Sequence, residues 1–429
     1  MDDRLTRPAL ITSSSTVTYA ELRAGAHATA RRLAALGVGE GDRVATTLPP
    51  SVAFAELLHA LPLLGASLVP LNTRLTDSER RWQLDDSGAR LCLEEPLDGE
   101  EADVRLRGEV DPDSEHSVIY TSGTTGRPAA VSLTHRNHTA SAIASAWNLG
   151  VDPDDRWLGV LPVFHVGGLA VLLRSALYGT AALLHDGFEV ERVKEAFERG
   201  EVTLASLVPT MLRRLVDAGL ESWPRLRAVL LGGGPVPRDL LEWSAEHGFP
   251  ALQTYGMTQT SSQIATLTAA EAVQKAGSAG RPLLGVDLSI SGEGEILARG
   301  PMIAPGALDH DDGWLHTGDR GRLDADGYLW VEGRLKDVIV TGGENVACAE
   351  VERVLEEHPA VVEAAVVGLP DDEWGEVVTA FVVLNGDGAD LIEHCRGRLA
   401  GYKVPRALHA VDALPRNAAG KLLRRELVR

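Results

Sequence analysis

The segment IYTSGTTGRPAAV, at residues 119–131, is the most informative stretch of the chain. It follows a strand-like start and places closely spaced hydroxyls around Gly123 and Gly126, those of Thr121, Ser122, Thr124, Thr125 and Ser132. Glycine lets a backbone turn tightly enough to point N–H groups at a phosphate, and hydroxyls add further donors. The segment lacks the GxxxxGK[ST] pattern of a Walker loop. The residues alone therefore indicate either a different phosphate-binding loop or an ordinary solvated turn.

Helical and strand-like patterns alternate on both sides of this loop. Apolar residues at helical spacing predict helices at residues 19–36 and 52–64, and β-rich runs predict strands at 43–48 and 68–71. Similar β-rich runs follow at 156–161, 203–208 and 227–231. Short strands separated by helices are typical of mostly parallel sheets. The sequence therefore predicts an α/β fold.

The pattern changes towards the C-terminus. Short β runs separated by glycine turns predict a small antiparallel β subdomain at about residues 279–333. Beyond Asp337, two helical and two strand-like segments predict a small α+β domain. We therefore expect a large N-terminal domain at residues 1–333, a hinge at 334–337 and a C-terminal domain at 338–429.

Composition narrows the class of protein. The chain has 429 residues, enough for two or three packed units. Its net charge of −20 argues against a nucleic-acid partner, which would need a basic face. Cys92, Cys348 and Cys395 lie far apart, which is typical of a reducing compartment without disulfides or structural zinc. No signal peptide and no membrane span is predicted, so we expect a cytoplasmic enzyme.

The string TSGTTGRP, at residues 121–128, resembles the phosphate-binding signature of the adenylate-forming superfamily. That superfamily includes acyl-CoA synthetases, peptide-synthetase adenylation domains and luciferases. The resemblance implies that the loop binds ATP through Thr121, Ser122, Gly123, Thr124, Thr125 and Gly126. Members usually carry Lys where this chain has Ala129 and Gly where it has Ala130. Arg127 is a candidate substitute for the missing lysine.

Two further segments are similar to blocks of the same superfamily, in its usual order. LPVFHVGGL, at residues 161–169, resembles the acyl-site segment, which implies that His165 lines the carboxylate pocket and takes part in catalysis. LLGGGPVP, at residues 230–237, resembles a loop that borders both the acid and the nucleotide. The resemblance assigns the acid to Gly232 and the nucleotide to Gly233 and Gly234. From the residues alone, the alternatives are a packed histidine and a simple strand-to-helix turn.

YGMTQT, at residues 255–260, resembles the next block. In that block the tyrosine ring and the following glycine lie against adenine, which implies this role for Tyr255 and Gly256. The first threonine contacts the α-phosphate, which makes Thr258 a predicted catalytic residue. Gln259 stands where the superfamily usually has a Mg²⁺-binding Glu, and an amide oxygen can still bind Mg²⁺ although it supplies no charge. We therefore expect Mg²⁺ to be bound largely by ATP oxygens.

GWLHTGDRG, at residues 313–321, and the start of GRLKDVIVTGGENV, at residues 333–346, resemble the ribose-binding segments. The first implies that Asp319 binds the ribose hydroxyls, a task that suits a carboxylate because both of its oxygens accept hydrogen bonds. The second implies a ribose or phosphate contact by Arg334.

The C-terminal segment PRNAAGKLLRREL, at residues 415–427, places Lys421 where the superfamily has its adenylation lysine. An ammonium there would stabilise the negative charge that builds when a carboxylate attacks the α-phosphate. The resemblance also implies that the C-terminal domain rotates about Lys336, which moves the lysine in and out. Gly342 and Gly343 match a loop that borders the pantetheine tunnel.

The resemblance thus implies a two-step ligase: ATP and a carboxylic acid give an acyl-adenylate, and coenzyme A then displaces AMP. Residues 261–263 and the string GSAGRPL make the chain most similar to o-succinylbenzoate–CoA ligases of menaquinone biosynthesis. That substrate has two carboxylates and needs a polar pocket, for which the candidates are His165, Thr210, Ser261 and Ser262.

Other functions remain alternatives for this chain. The departures at Ala129 and Gln259 are compatible with a ligase for another small or aromatic acid, or with a low-activity adenylate-binding paralogue. An aminoacyl-adenylating partner of a carrier protein is a further alternative, but no clear Asp for an α-amino group follows the LPVFH segment. A homodimer is a reasonable expectation for an enzyme of this size.

Overall fold

The computed structural model describes most of the chain. The described residues are 5–121, 128–234, 236–335, 337–341, 344–371, 374–386, 388, 390–399, 401–416 and 422–428. They form two compact units. The first comprises Met1–Leu288, Ala298–Leu315 and Ala325–Leu329, and the second comprises Ser289–Leu297, His316–Asp324 and Trp330–Arg429.

Strands and helices alternate as the sequence predicts. The strands are β1 Pro8–Ile11, β2 Thr16–Thr18, β3 Arg43–Thr46, β4 Ser67–Pro70, β5 Leu91–Leu93, β6 Glu115–Thr121, β7 Ala129–Thr134, β8 Arg156–Gly159, β9 Ala181–Leu184, β10 Leu204–Leu207, β11 Ala228–Leu231, β12 Ala251–Met257, β13 Ser262–Thr266, β14 Arg281–Pro282, β15 Asp287–Ile290, β16 Glu295–Arg299, β17 Leu315–Leu323, β18 Leu329–Arg334, β19 Val338–Thr341, β20 Glu344–Ala347, β21 Val361–Asp371, β22 Gly375–Leu384 and β23 Ala407–Ala410. The helices are α1 Tyr19–Ala35, α2 Val52–Leu64, α3 Asp77–Ser87, α4 His135–Leu149, α5 Val166–Tyr178, α6 Val190–Glu198, α7 Pro209–Asp217, α8 Arg238–Glu246, α9 Cys348–Glu356, α10 Leu391–Arg396 and α11 Arg424–Leu427.

The largest sheet has nine strands, in the order β14-β13-β12-β11-β10-β8-β9-β1-β2. Its six central strands, from β12 to β1, are parallel to their neighbours, and the pairs at both edges are antiparallel. A second sheet has the order β5-β3-β4-β6-β7, parallel except for the final β6–β7 pair. The predicted α/β class with mostly parallel sheets is confirmed.

Glu115, at the start of β6, ties four strands of the second sheet together. Its carboxylate accepts hydrogen bonds from Arg43 of β3 at 2.7 Å, from Ser67 of β4 at 2.7 Å and from Ser132 of β7 at 2.6 Å. These bonds hold the pKa of Glu115 below its ordinary value, although burial alone would raise it. The Ser132 hydroxyl, which the sequence grouped with the glycine loop, is therefore engaged within the sheet.

Helix ends follow local sequence signals. α1 begins after Thr18 and α3 after Thr76, each with a capping box to a glutamate three residues on. α2 begins after Ser51 and ends at Gly65, whose φ of 73° suits glycine. α1 and α2 pack against each other over a buried apolar cluster. Over the described part of the chain, no helix is both long and apolar enough to cross a membrane.

Two further sheets lie towards the C-terminus. One has the order β15-β16-β17-β18 and corresponds to the predicted β subdomain. The other has the order β20-β19-β22-β21, with β23 paired to β22. α9 packs on β21, and Val351, Val354 and Val366 are buried between them and their neighbours. A small α+β assembly of this kind is what the sequence predicts beyond Asp337.

Candidate active site

Several residues predicted for the acid and the nucleotide lie at or beyond the carboxyl ends of four neighbouring strands of the nine-stranded sheet. β8, β10, β11 and β12 are parallel to one another, so these ends lie along the same edge of the sheet. His165, Thr210 and Gly232–Gly234 follow β8, β10 and β11, and Tyr255–Gln259 span the end of β12 and the turn after it. In parallel α/β sheets, ligands bind in the crevice outside the carboxyl ends of the strands. The fold therefore gathers residues that lie nearly 100 positions apart in the sequence.

His165 is the residue that precedes α5. Its ring is half-buried and lies beside Phe164, with ring centroids 4.7 Å apart. Burial, together with the charge of Arg74, lowers the pKa of the imidazole, so the ring is neutral near pH 7. Close behind it, a Cβ on Gly168 would lie 2.2 Å from the carbonyl oxygen of Pro162, so only glycine lets the helix start this close to the preceding loop.

The three glycines after β11 have separate structural reasons. A Cβ on Gly232 would lie 2.8 Å from the Thr254 methyl carbon, and Gly233 has a φ of +81°. Gly234 has no atom within 4 Å of its would-be Cβ and no positive φ that requires glycine. Gly234 is thus the glycine that the fold itself explains least, which is compatible with its predicted place beside the nucleotide.

The turn between β12 and β13 brings two chain segments unusually close together. A Cβ on Gly256 would lie 1.9 Å from the carbonyl oxygen of Ser262. Ser261 and Ser262 have φ values of 50° and 97°, which side-chain-bearing residues seldom adopt. Thr260 holds this geometry, because its hydroxyl donates to the Ser262 carbonyl at 2.6 Å and accepts from the Met257 N–H at 2.9 Å. Backbone strain of this kind is commonly found at functional sites.

The two predicted serines differ in their surroundings. Ser261 is 1% exposed, and its hydroxyl donates to the carbonyl of Met302 at 2.8 Å. Ser262 is half-buried at the start of β13. Thr210 is exposed in the first turn of α7. The Ser261 side chain is therefore committed to the fold, whereas the Ser262 and Thr210 side chains are accessible.

Thr258 and Gln259 lie in a single 3₁₀ turn, Thr258–Thr260, and both are half-buried. The Gln259 carbonyl accepts a hydrogen bond from the Ala304 N–H at 2.8 Å, which fixes the backbone beneath its side chain. Among the residues with described positions, no group of three or more His, Cys, Asp or Glu side chains is placed to hold a metal ion.

Arg174 carries a buried charge and was not among the site residues predicted from the sequence. It is 3% exposed on α5, and its guanidinium donates to Gln263 Oε1 at 3.0 Å and to Ser141 Oγ at 3.1 Å. It pairs with no carboxylate in the described residues, and burial lowers its pKa. Its signal in the sequence was a lone charge in the otherwise apolar helix VGGLAVLLRSALY. An unpaired charge in the interior is costly, so its presence needs an explanation.

The second unit carries the predicted ribose-binding pair. The Asp319 carboxylate lies on β17 and is largely buried, with its Oδ1 atom 2.9 Å from Arg334 Nε on β18. Arg334 also donates to the carbonyl of Thr317 at 3.3 Å, and the Asp319 N–H donates to the Thr317 hydroxyl at 3.1 Å. The two residues that the sequence linked by role are thus in direct contact.

Ten residues named from the sequence lie outside the described residues. They are Ser122, Gly123, Thr124, Thr125, Gly126, Arg127, Lys336, Gly342, Gly343 and Lys421. Thr121, which precedes the loop, is the last residue of β6 and pairs with Ala129 of β7.

The described residues on either side of Lys421 are hydrogen-bonded to each other. Arg416 pairs with Leu422 in an antiparallel bridge, and the Leu423 N–H donates to the carbonyl of Pro415 at 2.8 Å. Arg424 donates to Asp337 at 2.9 Å and to Glu352 at 2.7 Å.

Models of known protein families match both parts of the chain. The model described as AMP-binding enzyme matches residues 2–108 and 94–308, and the model described as AMP-binding enzyme C-terminal domain matches residues 350–421.

Related proteins match along nearly the whole length. The 2-succinylbenzoate–CoA ligase of Geobacillus kaustophilus is 45% identical, over 96% of this chain and 93% of its own length. The ligase of the same name from Bacillus cereus is 41% identical, over 98% and 95% of the two chains.

Solved structures of CoA synthetases are also similar to this chain over nearly its whole length. The o-succinylbenzoate CoA synthetase of Bacillus subtilis, in complex with its acyl-adenylate intermediate, superposes with a TM-score of 0.92 at 40% identity, covering 98% of this chain and 95% of that one. A fatty acyl CoA synthetase of Mycobacterium tuberculosis superposes with a TM-score of 0.76 at 32% identity, covering 98% and 94%. Both the family models and full-length relatives well above 30% identity agree, so the chain belongs to the AMP-binding enzyme family.

Proposed function

We propose that this chain is an ATP-dependent acid–CoA ligase that converts 2-succinylbenzoate to 2-succinylbenzoyl-CoA, a step of menaquinone biosynthesis. The observation that carries the proposal is the full-length similarity to ligases of that name, at 45% and 41% identity. The strand-end residues add support, since the fold brings the predicted acid and nucleotide residues of four strands to one edge of a sheet.

In the first half-reaction, the acid carboxylate attacks the α-phosphate of ATP, and pyrophosphate leaves. His165 suits a place beside the carboxylate, because the N–H of a neutral imidazole can donate a hydrogen bond to one carboxylate oxygen. Thr258 would donate to the α-phosphate from the 3₁₀ turn. Lys421 would stabilise the charge that builds on the phosphate oxygens. The roles of these three residues are part of the proposal.

Asp319 and Arg334 form the proposed ribose site. Arg334 Nε lies 2.9 Å from Asp319 Oδ1, and a carboxylate suits the ribose because its oxygens can accept hydrogen bonds from the hydroxyls. Tyr255 and Gly256 would border adenine, with Gly233 and Gly234 on the same sheet edge. The Thr121–Gly126 loop would hold the phosphates through its hydroxyls and N–H groups.

The magnesium that accompanies ATP would be held mainly by ATP oxygens, because Gln259 stands where the resemblance predicts a Mg²⁺-binding Glu. Gln259 would add one neutral amide oxygen. Bound there, the ion would neutralise phosphate charge. The protein would contribute less negative charge to the ion through Gln259 than a Glu at the same position would.

A dicarboxylate substrate gives a reason for the buried charge at Arg174. One carboxylate of 2-succinylbenzoate reacts, and the other must be held in a partly dry pocket. Arg174 would act as a positioning residue, orienting Ser141 and Gln263 and adding positive potential to the pocket wall. Of the two predicted serines, Ser262 suits direct contact better, since the Ser261 hydroxyl is bonded to Met302.

In the second half-reaction, the thiol of coenzyme A displaces AMP. We propose a domain boundary at residues 334–337, with Lys336 as the hinge that withdraws Lys421 after adenylation. Gly342 and Gly343 would then border the pantetheine arm. These assignments rest on the similarity of the segment to the family's pattern. A hinge of a few residues is sufficient for such a rearrangement.

A substrate panel tests the proposed acid. CoA thioester formation would be measured with 2-succinylbenzoate, benzoate, malonate, short fatty acids and amino acids. The proposal predicts that 2-succinylbenzoate gives the highest kcat/KM by at least about 100-fold. Benzoate and short fatty acids lack the second carboxylate, and malonate has two carboxylates but lacks the aromatic ring. Efficient turnover of another acid, with no 2-succinylbenzoyl-CoA, would refute the specific substrate while leaving the ligase class intact.

Ligation of another acid is the second candidate function. It is favoured by Ala129 and Gln259, which depart from the family pattern, and by the structural similarity to a fatty acyl CoA synthetase. Absence of turnover with every acid would instead favour the low-activity adenylate-binding paralogue. We also propose a cytoplasmic location and a homodimer, which fractionation and sedimentation of the full chain would test.

A further inference from the structure

A cavity of about 320 Å³ opens at the other edge of the nine-stranded sheet. Its wall includes Arg156 and Ala181, the first residues of β8 and β9, together with Pro8 and Ile11 of β1. The predicted acid and nucleotide residues lie at or beyond the carboxyl ends of β8, β10, β11 and β12, and β9 is parallel to β8. The cavity lies at their amino ends, so it is separate from the candidate active site.

Three arginines line this cavity from three different parts of the first unit: Arg7 before β1, Arg156 at the start of β8 and Arg225 in the loop before β11. None of them forms an ion pair with a carboxylate among the residues that the structure describes. The Arg7 guanidinium donates one long hydrogen bond, 3.4 Å, to the carbonyl of Pro153. Three guanidinium groups at one place with no ion pair in the described part of the chain are notable in a protein with a net charge of −20.

The nearest buried acid cannot neutralise these arginines. Asp155 is 3% exposed and bonds Arg227 through both oxygens, at 2.8 and 2.5 Å. It also accepts from the Thr203 hydroxyl at 2.7 Å and from the Asp152 N–H at 2.9 Å. Both carboxylate oxygens of Asp155 are therefore already hydrogen-bonded to residues other than the three cavity arginines.

One acid remains in the wall. Asp154 is exposed, whereas Asp155, which also lines the cavity, is neutralised by Arg227. The lining together with Arg227 therefore carries a net charge of about +2. Guanidinium groups match carboxylate and phosphate oxygens in paired hydrogen bonds, and the cavity has the volume of a small-molecule site. We propose that the cavity binds a small multivalent oxyanion, either a phosphate-bearing compound or a polycarboxylate.

The test is calorimetric titration of the full chain with citrate and, separately, with inorganic phosphate, in excess AMP so that the predicted nucleotide site does not contribute. We expect one anion per chain. Arg7→Gln and Arg225→Gln should each weaken binding by about fivefold or more, because each removes a charge-assisted hydrogen bond. Asp154→Asn should tighten it about two- to threefold by removing the one repulsive charge.

The control is Arg81→Gln, which makes the same charge change on an exposed residue of α3 and should leave affinity within about twofold. Thermal unfolding without anion shows that each variant is folded, and Asp154→Asn tests the site even if an arginine variant is not. Binding of citrate alone would assign a polycarboxylate, and binding of phosphate alone a phosphate-bearing compound. Binding of neither anion at millimolar concentration, or binding that all three cavity variants leave unchanged, would overturn the proposal.

Discussion

Gln259 supplies an amide at the position where the resemblance to the adenylate-forming superfamily predicts a Mg²⁺-binding carboxylate. Because an amide adds no charge to a Mg²⁺ site, the protein's share of ion binding should be weak. We predict that Gln259→Glu lowers the Mg²⁺ concentration for half-maximal adenylation about three- to tenfold, measured as pyrophosphate release. Gln274→Glu, which adds the same charge at an exposed position, is the control. Identical Mg²⁺ dependence of both variants would show that residue 259 does not contact the ion.

Gly256 and Gly234 make a matched pair of glycine positions. Gly256→Ala would press a Cβ to 1.9 Å from the Ser262 carbonyl, whereas the Cβ of Gly234→Ala meets no atom within 4 Å. We predict that Gly256→Ala lowers the free energy of unfolding by about 2 kcal/mol or more and that Gly234→Ala changes it by less than about 0.5 kcal/mol. Denaturant unfolding measures both.

The same pair separates folding from binding. If Gly234 borders the nucleotide, Gly234→Ala should raise the KM for ATP severalfold in a normally stable protein. An unchanged KM would remove Gly234 from the predicted site, and a stable Gly256→Ala variant would contradict the close approach of β12 and β13.

At this scale the sequence predicted residue types better than residue contacts. His165 and the glycine positions follow from local motifs. The resemblance gave Asp319 and Arg334 separate contacts with the nucleotide, and their direct ion pair was not predicted. Arg174 was missed because its partners, Ser141 and Gln263, come from segments 33 and 89 positions away. Contacts of that range depend on strand order, which no local pattern contains.

Among the elements, β6 and α4 hold a cluster of buried histidines. The His116 ring lies 4.8 Å from that of His135 and 4.7 Å from that of His138, and His138 Nε2 lies 2.9 Å from the Ser117 hydroxyl. Burial, with the neighbouring His135 and Arg174, lowers the pKa of His138 to about 3. Burial and the adjacent histidines lower the pKa of His116 well below its ordinary value.

This cluster predicts acid lability. The unfolded chain takes up protons on these rings below about pH 6.5, whereas the folded chain keeps them neutral until far lower pH. Stability is therefore lost as the pH falls below about 6.5, by about 1 kcal/mol per buried ring at pH 5.5. His138→Gln should reduce this pH slope in urea unfolding at pH 7.5 and 5.5, and the exposed His310→Gln should not. A slope unaffected by His138→Gln would contradict this account.

Elements were predicted well where periodicity is strong. The helix predicted at residues 52–64 is α2, Val52–Leu64, and the helix predicted at residues 19–36 is α1, Tyr19–Ala35. Capping residues mark the ends of both helices, and apolar residues at helical spacing mark the segments between the caps. The antiparallel pairing of β6 with β7, on either side of the glycine-rich segment, was not predicted. Pairing direction is a tertiary property.

For the whole molecule, the proposed two-step cycle requires Lys421 for adenylation but not for thioester formation. We predict that Lys421→Ala lowers adenylation by about 10²-fold or more, because a preorganised charge at a developing oxyanion contributes on this scale. Thioester formation from a supplied 2-succinylbenzoyl-adenylate should change by less than about threefold, since Lys421 would be withdrawn in that step. Loss of thioester formation with normal adenylation would reverse the assigned role.

The overall organisation was readable from the sequence because its signals are local and ordered. Alternating elements predicted the parallel sheets, and glycine-rich β runs predicted the smaller sheet of β15 to β18. The cavity at the amino ends of β8 and β9 was not predictable. Its three arginines, at positions 7, 156 and 225, come together only when strand order places β1 beside β9.

The proposed reaction joins 2-succinylbenzoate to coenzyme A through an adenylate. The most direct measurement is mass spectrometry of products after incubation with 2-succinylbenzoate, ATP and Mg²⁺, before and after coenzyme A is added. We predict 2-succinylbenzoyl-adenylate and pyrophosphate first, then 2-succinylbenzoyl-CoA and AMP in equal amounts. Formation of ADP, or of no acyl product under conditions where the chain is folded and binds ATP, would contradict the claim.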